Sequence, residues 1–501
     1  MRANSLAVSS FLALTSLSHL NAAAEATHAS NELRVCNDVR EPASLDPLQA
    51  FSEKSYVILQ QIHESLIRFT SDGRMEPALA SSWTRTNDTT FRFFLRKDVR
   101  FHNGGSFDAR AVEYNVRKYL DPKTDFPGRW FLGPLERAAV IDRHTVDLVT
   151  SVPDSIFLNR IAAFLYIVAP DYYSKENGAF GRAPIGTGPF KFERWTAGRE
   201  ISIARNDSYW EGGLPRLDRL TFKFMAVEEQ VESFLKGNVD VLMNMPGTQT
   251  KTVIDSGMAR VTKKHVFMTI GATFNNRTGP LKDKRVRQAL NYATDRADLI
   301  RYDQLGNAAV IASLAMPGAP GFDPALKPYP YDPNKAKQLL AEAGFNGRVR
   351  LRALVQSEDQ HTASILRRQW ERVGIDLDIR WTNDIELLDD IKSFQPDLAL
   401  GGCPDPMVHS FFIASIFIYS KSPYSLTHDP EFDSALEAAV AEIDPAKSEE
   451  AIRGVNRLIH RESLSLFTYQ KIKTYAIRRG VSFNPSVTGM PHFFTAEISA
   501  K

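Results

Sequence analysis

The sequence predicts an α/β protein built from more than one packed unit. Short stretches alternate apolar and polar residues with the period of a strand, at residues 91–96, 145–150, 201–205, 219–224 and 375–381. Helical stretches with their own start and stop signals lie among and after them. The chain has 501 residues, more than one hydrophobic core supports, so two or three units are expected.

Taken in order, the elements begin with a targeting signal. Arg2 supplies a positive start, residues 6–20 are apolar but diluted by serine, and Asn21-Ala22-Ala23-Ala24 offers small residues for cleavage. That tripartite pattern predicts a secretory signal peptide over residues 1–24. The run is too short for a membrane span, which takes about 20 apolar residues. Cys36 is not read as a lipid anchor, because Val35 precedes it and polar residues separate it from the apolar run. The apolar stretches 161–169 and 411–419 have the length of core elements. Asp332-Pro333 is an N-cap followed by a first-turn proline, Ala336, Leu339, Leu340 and Ala343 make one face, and Gly344 closes the helix. Asp429-Pro430 and Asp444-Pro445 open two more helices in the same way.

Composition narrows the function by exclusion. With 61 basic against 59 acidic residues and 43% hydrophobic content, the chain is an ordinary globular protein and not a nucleic-acid binder, which normally carries a clear basic excess. Two cysteines fall short of a disulfide scaffold or a four-thiolate zinc site. Cys36 and Cys403 have two chemistries open to them, one disulfide or two separate buried thiols, and their spacing does not choose. Catalytic templates fail in turn. No His-Glu-x-x-His occurs; Gly104-Gly105-Ser106-Phe107-Asp108 lacks the closing glycine of a nucleophile elbow; Gly186-Thr187-Gly188 runs into Pro189 instead of a third dinucleotide-loop glycine. Asp389-Asp390 is read as solvated surface, His63 and His102 as satisfied structural histidines, and Trp83 as a core anchor.

Several ordered blocks carry a resemblance. They start with Ser44-Leu45-Asp46-Pro47, His63-Glu64-Ser65-Leu66 and Pro77-Ala78-Leu79-Ala80-Ser81-Ser82-Trp83. Phe93-Phe94-Leu95-Arg96-Lys97-Asp98-Val99-Arg100-Phe101-His102-Asn103-Gly104 follows, and Pro184-Ile185-Gly186-Thr187-Gly188-Pro189-Phe190 is the most distinctive. Gly237-Asn238-Val239-Asp240 and Val286-Arg287-Gln288-Ala289-Leu290-Asn291-Tyr292-Ala293 come later. In these blocks the chain resembles the bacterial extracellular solute-binding proteins that serve dipeptide, oligopeptide, nickel-chelate and opine ABC importers, over essentially its whole mature length.

The resemblance implies a two-lobe periplasmic binding protein fold with a hinge and an extra domain inserted in the first lobe. The first lobe is expected at residues 25–45, 186–270 and 480–501, the extra domain at 46–185 and the second lobe at 271–479. It further implies a periplasmic monomer that closes around a solute and docks on an inner-membrane ABC permease with its ATPase subunits. No catalysis, cofactor, protein-bound metal or nucleic acid is implied.

The expected solute is a peptide or a peptide-sized molecule; a nickel or other metal chelate is the second reading, and a secreted hydrolase the rival from another class. In peptide-binding relatives a second-lobe segment reads Trp-x-x-Asp before Asp/Glu-Pro, and its aspartate meets the ligand amine. Here Gly402 holds that position, and Gly401-Gly402-Cys403-Pro404-Asp405-Pro406 matches the Gly-x-x-x-Asp-Pro of the nickel-chelate branch. The resemblance nominates Arg129 and Trp130 from the extra domain, Gly401, Gly402 and Asp405 from the second lobe, and Tyr469 near the return between lobes.

Overall fold

The computed structural model describes residues 31–499 apart from 39, 125, 176–179 and 384–385, so the expected export signal lies outside the described residues. Eleven strands form one large sheet: β1 (Glu32–Asp38), β2 (Phe190–Thr196), β3 (Glu200–Arg205), β4 (Arg219–Phe224), β5 (Val241–Leu242), β6 (Ala259–Phe274), β7 (Ala308–Val310), β8 (Val349–Gln356), β9 (Ile375–Thr382), β10 (Leu398–Pro404) and β11 (Ser465–Arg478). Their order is β9-β8-β10-β6-β11-β5-β1-β4-β3-β2, with β7 beside β11. The fold is α/β.

The pairing has a division of labour. β1 runs parallel to β4 and β5, and β8 runs parallel to β9 and β10. Between these two groups stand β6 and β11, antiparallel and paired from Ala259↔Arg478 to Thr273↔Ser465. The 16 residues of β6 extend on the order of 50 Å, so one strand serves both groups. Its C-terminal half pairs β10, while the C-terminal half of β11 pairs β5. The ladder is irregular between His265 and Thr269 and between Ile270 and Gly271, and such bulges bend and twist a strand. Gly271 is needed there: a Cβ would lie 2.8 Å from the Leu466 carbonyl oxygen.

Most expected elements form where local rules place them. Strands run Thr90–Leu95 and Thr145–Thr150 in a separate four-stranded antiparallel sheet with Ala80–Asn87 and Leu135–Asp142. Trp83 is half-buried against the core. Asp332, Asp429 and Asp444 accept from the amides of Lys335, Phe432 and Lys447 and open helices Pro333–Glu342, Pro430–Ala441 and Pro445–Arg461. Gly344, at φ +88°, ends the first of them. On the β8–β10 side, Trp370 is fully buried and donates to Thr294 Oγ1 at 3.0 Å.

The Gly186-Thr187-Gly188 segment works by close approach. A Cβ on Gly186 would lie 2.1 Å from the Ile62 carbonyl oxygen. His102 holds the same segment: Nδ1 accepts from the Gly186 amide at 3.3 Å, and Nε2 donates to the Gly188 carbonyl at 3.0 Å. Burial lowers its pKa to about 4, so the ring is neutral, as this bonding requires. Gly186→Ala is therefore expected to cost about 1–3 kcal/mol of stability, seen as a lower urea midpoint; an unchanged midpoint would show that the backbone of Ile62 yields freely.

Candidate ligand-binding cleft

A cavity of ≈ 630 Å³ opens where the parallel strands end. Asn37 of β1, Asn244 beyond β5, Gln356 at the end of β8 and Gly402 to Pro404 of β10 all line it. Ligand sites in parallel α/β sheets lie at these carboxyl ends, because loops and helix starts converge there. β11 crosses the floor with Lys471 to Thr474, and the start of helix Glu53–Ile62 supplies Ser52 to Lys54.

One wall is aromatic. Phe51, Phe164 and Phe412 line it, with ring centroids 6.0 Å apart for Phe51–Phe164 and 5.9 Å for Phe164–Phe412. Phe131 backs them, 4.8 Å from Phe412. Charged groups line the cavity as well. Glu53 pairs with Lys473, and Lys54 Nζ lies 3.4 Å from Glu358 Oε1, joining that helix to the segment after β8. The cavity is thus amphipathic, of the size that encloses small organic ligands.

Asp303 also lines the cavity, and its Oδ2 accepts from Tyr469 Oη at 2.8 Å, Thr362 Oγ1 at 2.5 Å and Gln304 Nε2 at 2.8 Å. Burial, and then the Asp303 charge, push the Tyr469 phenol far above its ordinary pKa, so it stays a donor. Gly402 N donates to Asp359 Oδ2 at 2.9 Å and to Gln356 Oε1 at 3.1 Å. Burial raises Asp359 to about 6, with Lys471 opposing the shift.

The nominated residues divide by location. Gly402 lines the cavity. Gly401 stands beside it, opposite Gly271, where a Cβ would meet Gln356 Oε1 at 2.3 Å. Tyr469 is fully buried and reaches the cavity through Asp303. Asp405 is also buried, and its two oxygens accept from the amides of Met407 and His409, each at 2.8 Å. Arg129 donates to the carbonyls of Leu120 and Asp121 and so closes helix Ala109–Leu120. Trp130 is 39% exposed and packs 5.8 Å from the Tyr419 ring. Arg129, Trp130, Gly401, Asp405 and Tyr469 are not among the lining residues.

Sequence reasoning did not nominate Lys54, Asp303, Gln356, Glu358, Lys471 or Lys473. Only the last pair left a local trace: two lysines at alternate positions of a strand lie on one face. Among the described residues, no cluster of three or more His, Cys, Asp or Glu side chains is placed to hold a metal, and no helix is long and apolar enough to cross a membrane.

Known proteins resemble this chain in sequence or in fold. The glutathione-binding protein GsiB of Escherichia coli (strain K12) is 28% identical over 308 residues, 60% of this chain and 59% of that protein, so the chain spans only part of this curated relative's length. Two solved structures share the fold. The binding protein AgaA from A. tumefacien R10, in complex with agropinic acid, superposes with a TM-score of 0.83 at 24% identity, covering 94% of this chain and 99% of that one. The ABC transporter-associated periplasmic binding protein DppA from Helicobacter pylori, in complex with peptide STSA, gives 0.83 at 21% identity, covering 94% and 98%. The model of the bacterial extracellular solute-binding proteins, family 5 Middle, matches residues 74–421. That match spans well over half of the sequence, and the chain belongs to this family.

Proposed function

We propose that the protein is the periplasmic substrate-binding component of an ABC import system. It captures a peptide or peptide-sized solute and delivers it to a membrane permease, whose ATPase subunits supply the energy. The observation that carries this reading is the amphipathic cavity at the strand ends, bounded on both sides of the long β6–β11 pair. Lobe boundaries at residues 25–45, 186–270 and 480–501 for the first, 271–479 for the second and 46–185 for the extra domain put walls of the cavity on different bodies. A solute touching all of them favours the closed state in proportion to its differential contacts. The relatives that bind glutathione and a peptide support a peptide-sized solute. No step of this function breaks a covalent bond in the solute.

Calorimetry and mass spectrometry of the mature chain against pools of di-, tri- and tetrapeptides test the reading. Saturable binding with peptides recovered intact is the expected result. Heat with nickel plus histidine alone would move the assignment to a metal chelate, and turnover abolished by one substitution would move it to a hydrolase. Closure has its own check. The Glu358 side chain is 71% exposed, so its pair with Lys54 is worth about 0.2–1 kcal/mol. Lys54→Ala is expected to speed solute release about two- to fivefold, with the difference vanishing at high salt; equal release rates at low salt would remove the pair from closure.

A further inference from the structure

The charged groups that line the cavity do not all satisfy one another. Among the described residues, three carboxylates line it, Glu53, Asp303 and Glu358, and three ammonium groups, Lys54, Lys471 and Lys473, with no arginine or histidine. Glu53 is taken by Lys473 and Glu358 by Lys54. Asp303 and Lys471 are left, and neither forms an ion pair among the described residues. Asp359 lies near enough to feel both charges, yet its Oδ2 is engaged by the Gly402 amide.

Asp303 is also built as a receptor. Tyr469, Thr362 and Gln304 all donate to its Oδ2, which fixes the carboxylate without neutralising it. Lys471 stands two residues after Tyr469 on the same face of β11, a step on the order of 7 Å. An acceptor held by three donors and a nearby cation of opposite sign, both facing one cavity, match a solute that carries both charges. A charged group brought into such a site without a partner meets a desolvation cost that an opposite charge offsets.

We infer that the cavity selects a zwitterion, seating an ammonium group against Asp303 and a carboxylate against Lys471, with the apolar part of the solute on the Phe51–Phe412 wall. This rests on the solute-capture reading and names its chemistry. Gly402, at the position where peptide-binding relatives carry an aspartate, leaves the ammonium to a carboxylate from the segment before β7. Each end gains a charge-assisted hydrogen bond, so losing one end weakens binding about tenfold or more.

The test uses the whole mature chain and a randomised tripeptide pool in three forms: free, N-acetylated and C-amidated, with retained peptide quantified by mass spectrometry. Wild type is expected to retain the free pool about tenfold or more over either blocked pool. Asp303→Asn should erase the preference for a free amine and keep that for a free carboxylate; Lys471→Gln should do the reverse. Tyr469→Phe, which removes one donor and leaves the carboxylate, should weaken the amine preference partially, and it carries the test if Asp303→Asn fails to fold. Equal retention of all three pools by wild type, or variants that lose affinity with both preferences unchanged, overturns the assignment alone. Retention of no pool overturns the peptide-capture reading and the assignment with it.

Discussion

Replacing Arg160 by methionine is expected to cost about 3–5 kcal/mol of stability. The Arg160 side chain is 4% exposed and that of its partner Asp154 fully buried, with Nε 2.7 Å from Oδ2. Nη1 donates to the Phe131 carbonyl at 3.1 Å, and the guanidinium lies 4.6 Å over the Phe411 ring. Gly133 makes room for it, since a Cβ there would meet Arg160 Cζ at 2.7 Å. Methionine fills the volume but strands the Asp154 carboxylate in the interior, and the stranded charge accounts for most of the loss. Removing both charges, as Arg160→Met with Asp154→Leu, should therefore recover much of it. Urea midpoints of the two singles and the double close the cycle. A double variant as unstable as the sum of the singles would show that packing, not stranded charge, sets the cost.

Asp405→Asn is the second large effect, and it depends on pH. Asp405 holds a turn in which Val408 sits at φ +55°, a conformation costly for a β-branched residue. Asparagine keeps one acceptor and loses the other, leaving one buried amide orphaned at about 1–3 kcal/mol. Burial raises the Asp405 carboxyl to about 7, above the ordinary 3.9 or so of an unfolded aspartate. Its titration therefore contributes stability that is fully present below about 3.9 and lost as pH rises through about 7. The penalty of Asp405→Asn should thus grow on acidification from pH 7 to 4, by on the order of 1 kcal/mol per unit. His409, in the same turn, opposes it: burial, then the Arg160 charge, lower it to about 3, so its contribution is lost as pH falls below about 6.5. In the wild type the two cancel over much of this window. Midpoints at pH 7.5 and 5.0 decide it, and parallel profiles for wild type and variant would refute the titration.

The helices capped by Asp332, Asp429 and Asp444 and the strands with period-two patterning were legible because each depends on neighbours within four residues. The order of the large sheet was not, since β1 pairs with β4 and β5 across stretches that no local pattern connects. The cleft divides in the same way. Gly402 was reachable because it sits at a fixed offset from Asp405-Pro406. Asp303 and Lys471 were not, because an isolated charge acquires meaning only when its neighbours pair with each other. Arg129 was nominated by its place in the resembling stretch, and no local pattern announced the carbonyls it meets at Leu120 and Asp121, eight or nine residues back.

The long antiparallel pair has a consequence for descent. Its backbone groups pair with each other at residues 259–265 and again at 269–273, so much of that ladder is already taken. The cavity is instead lined by side chains and a helix start at the ends of other strands. A lysine or a phenylalanine in the walls can thereby be exchanged while the strand pairing of the frame stays as it is.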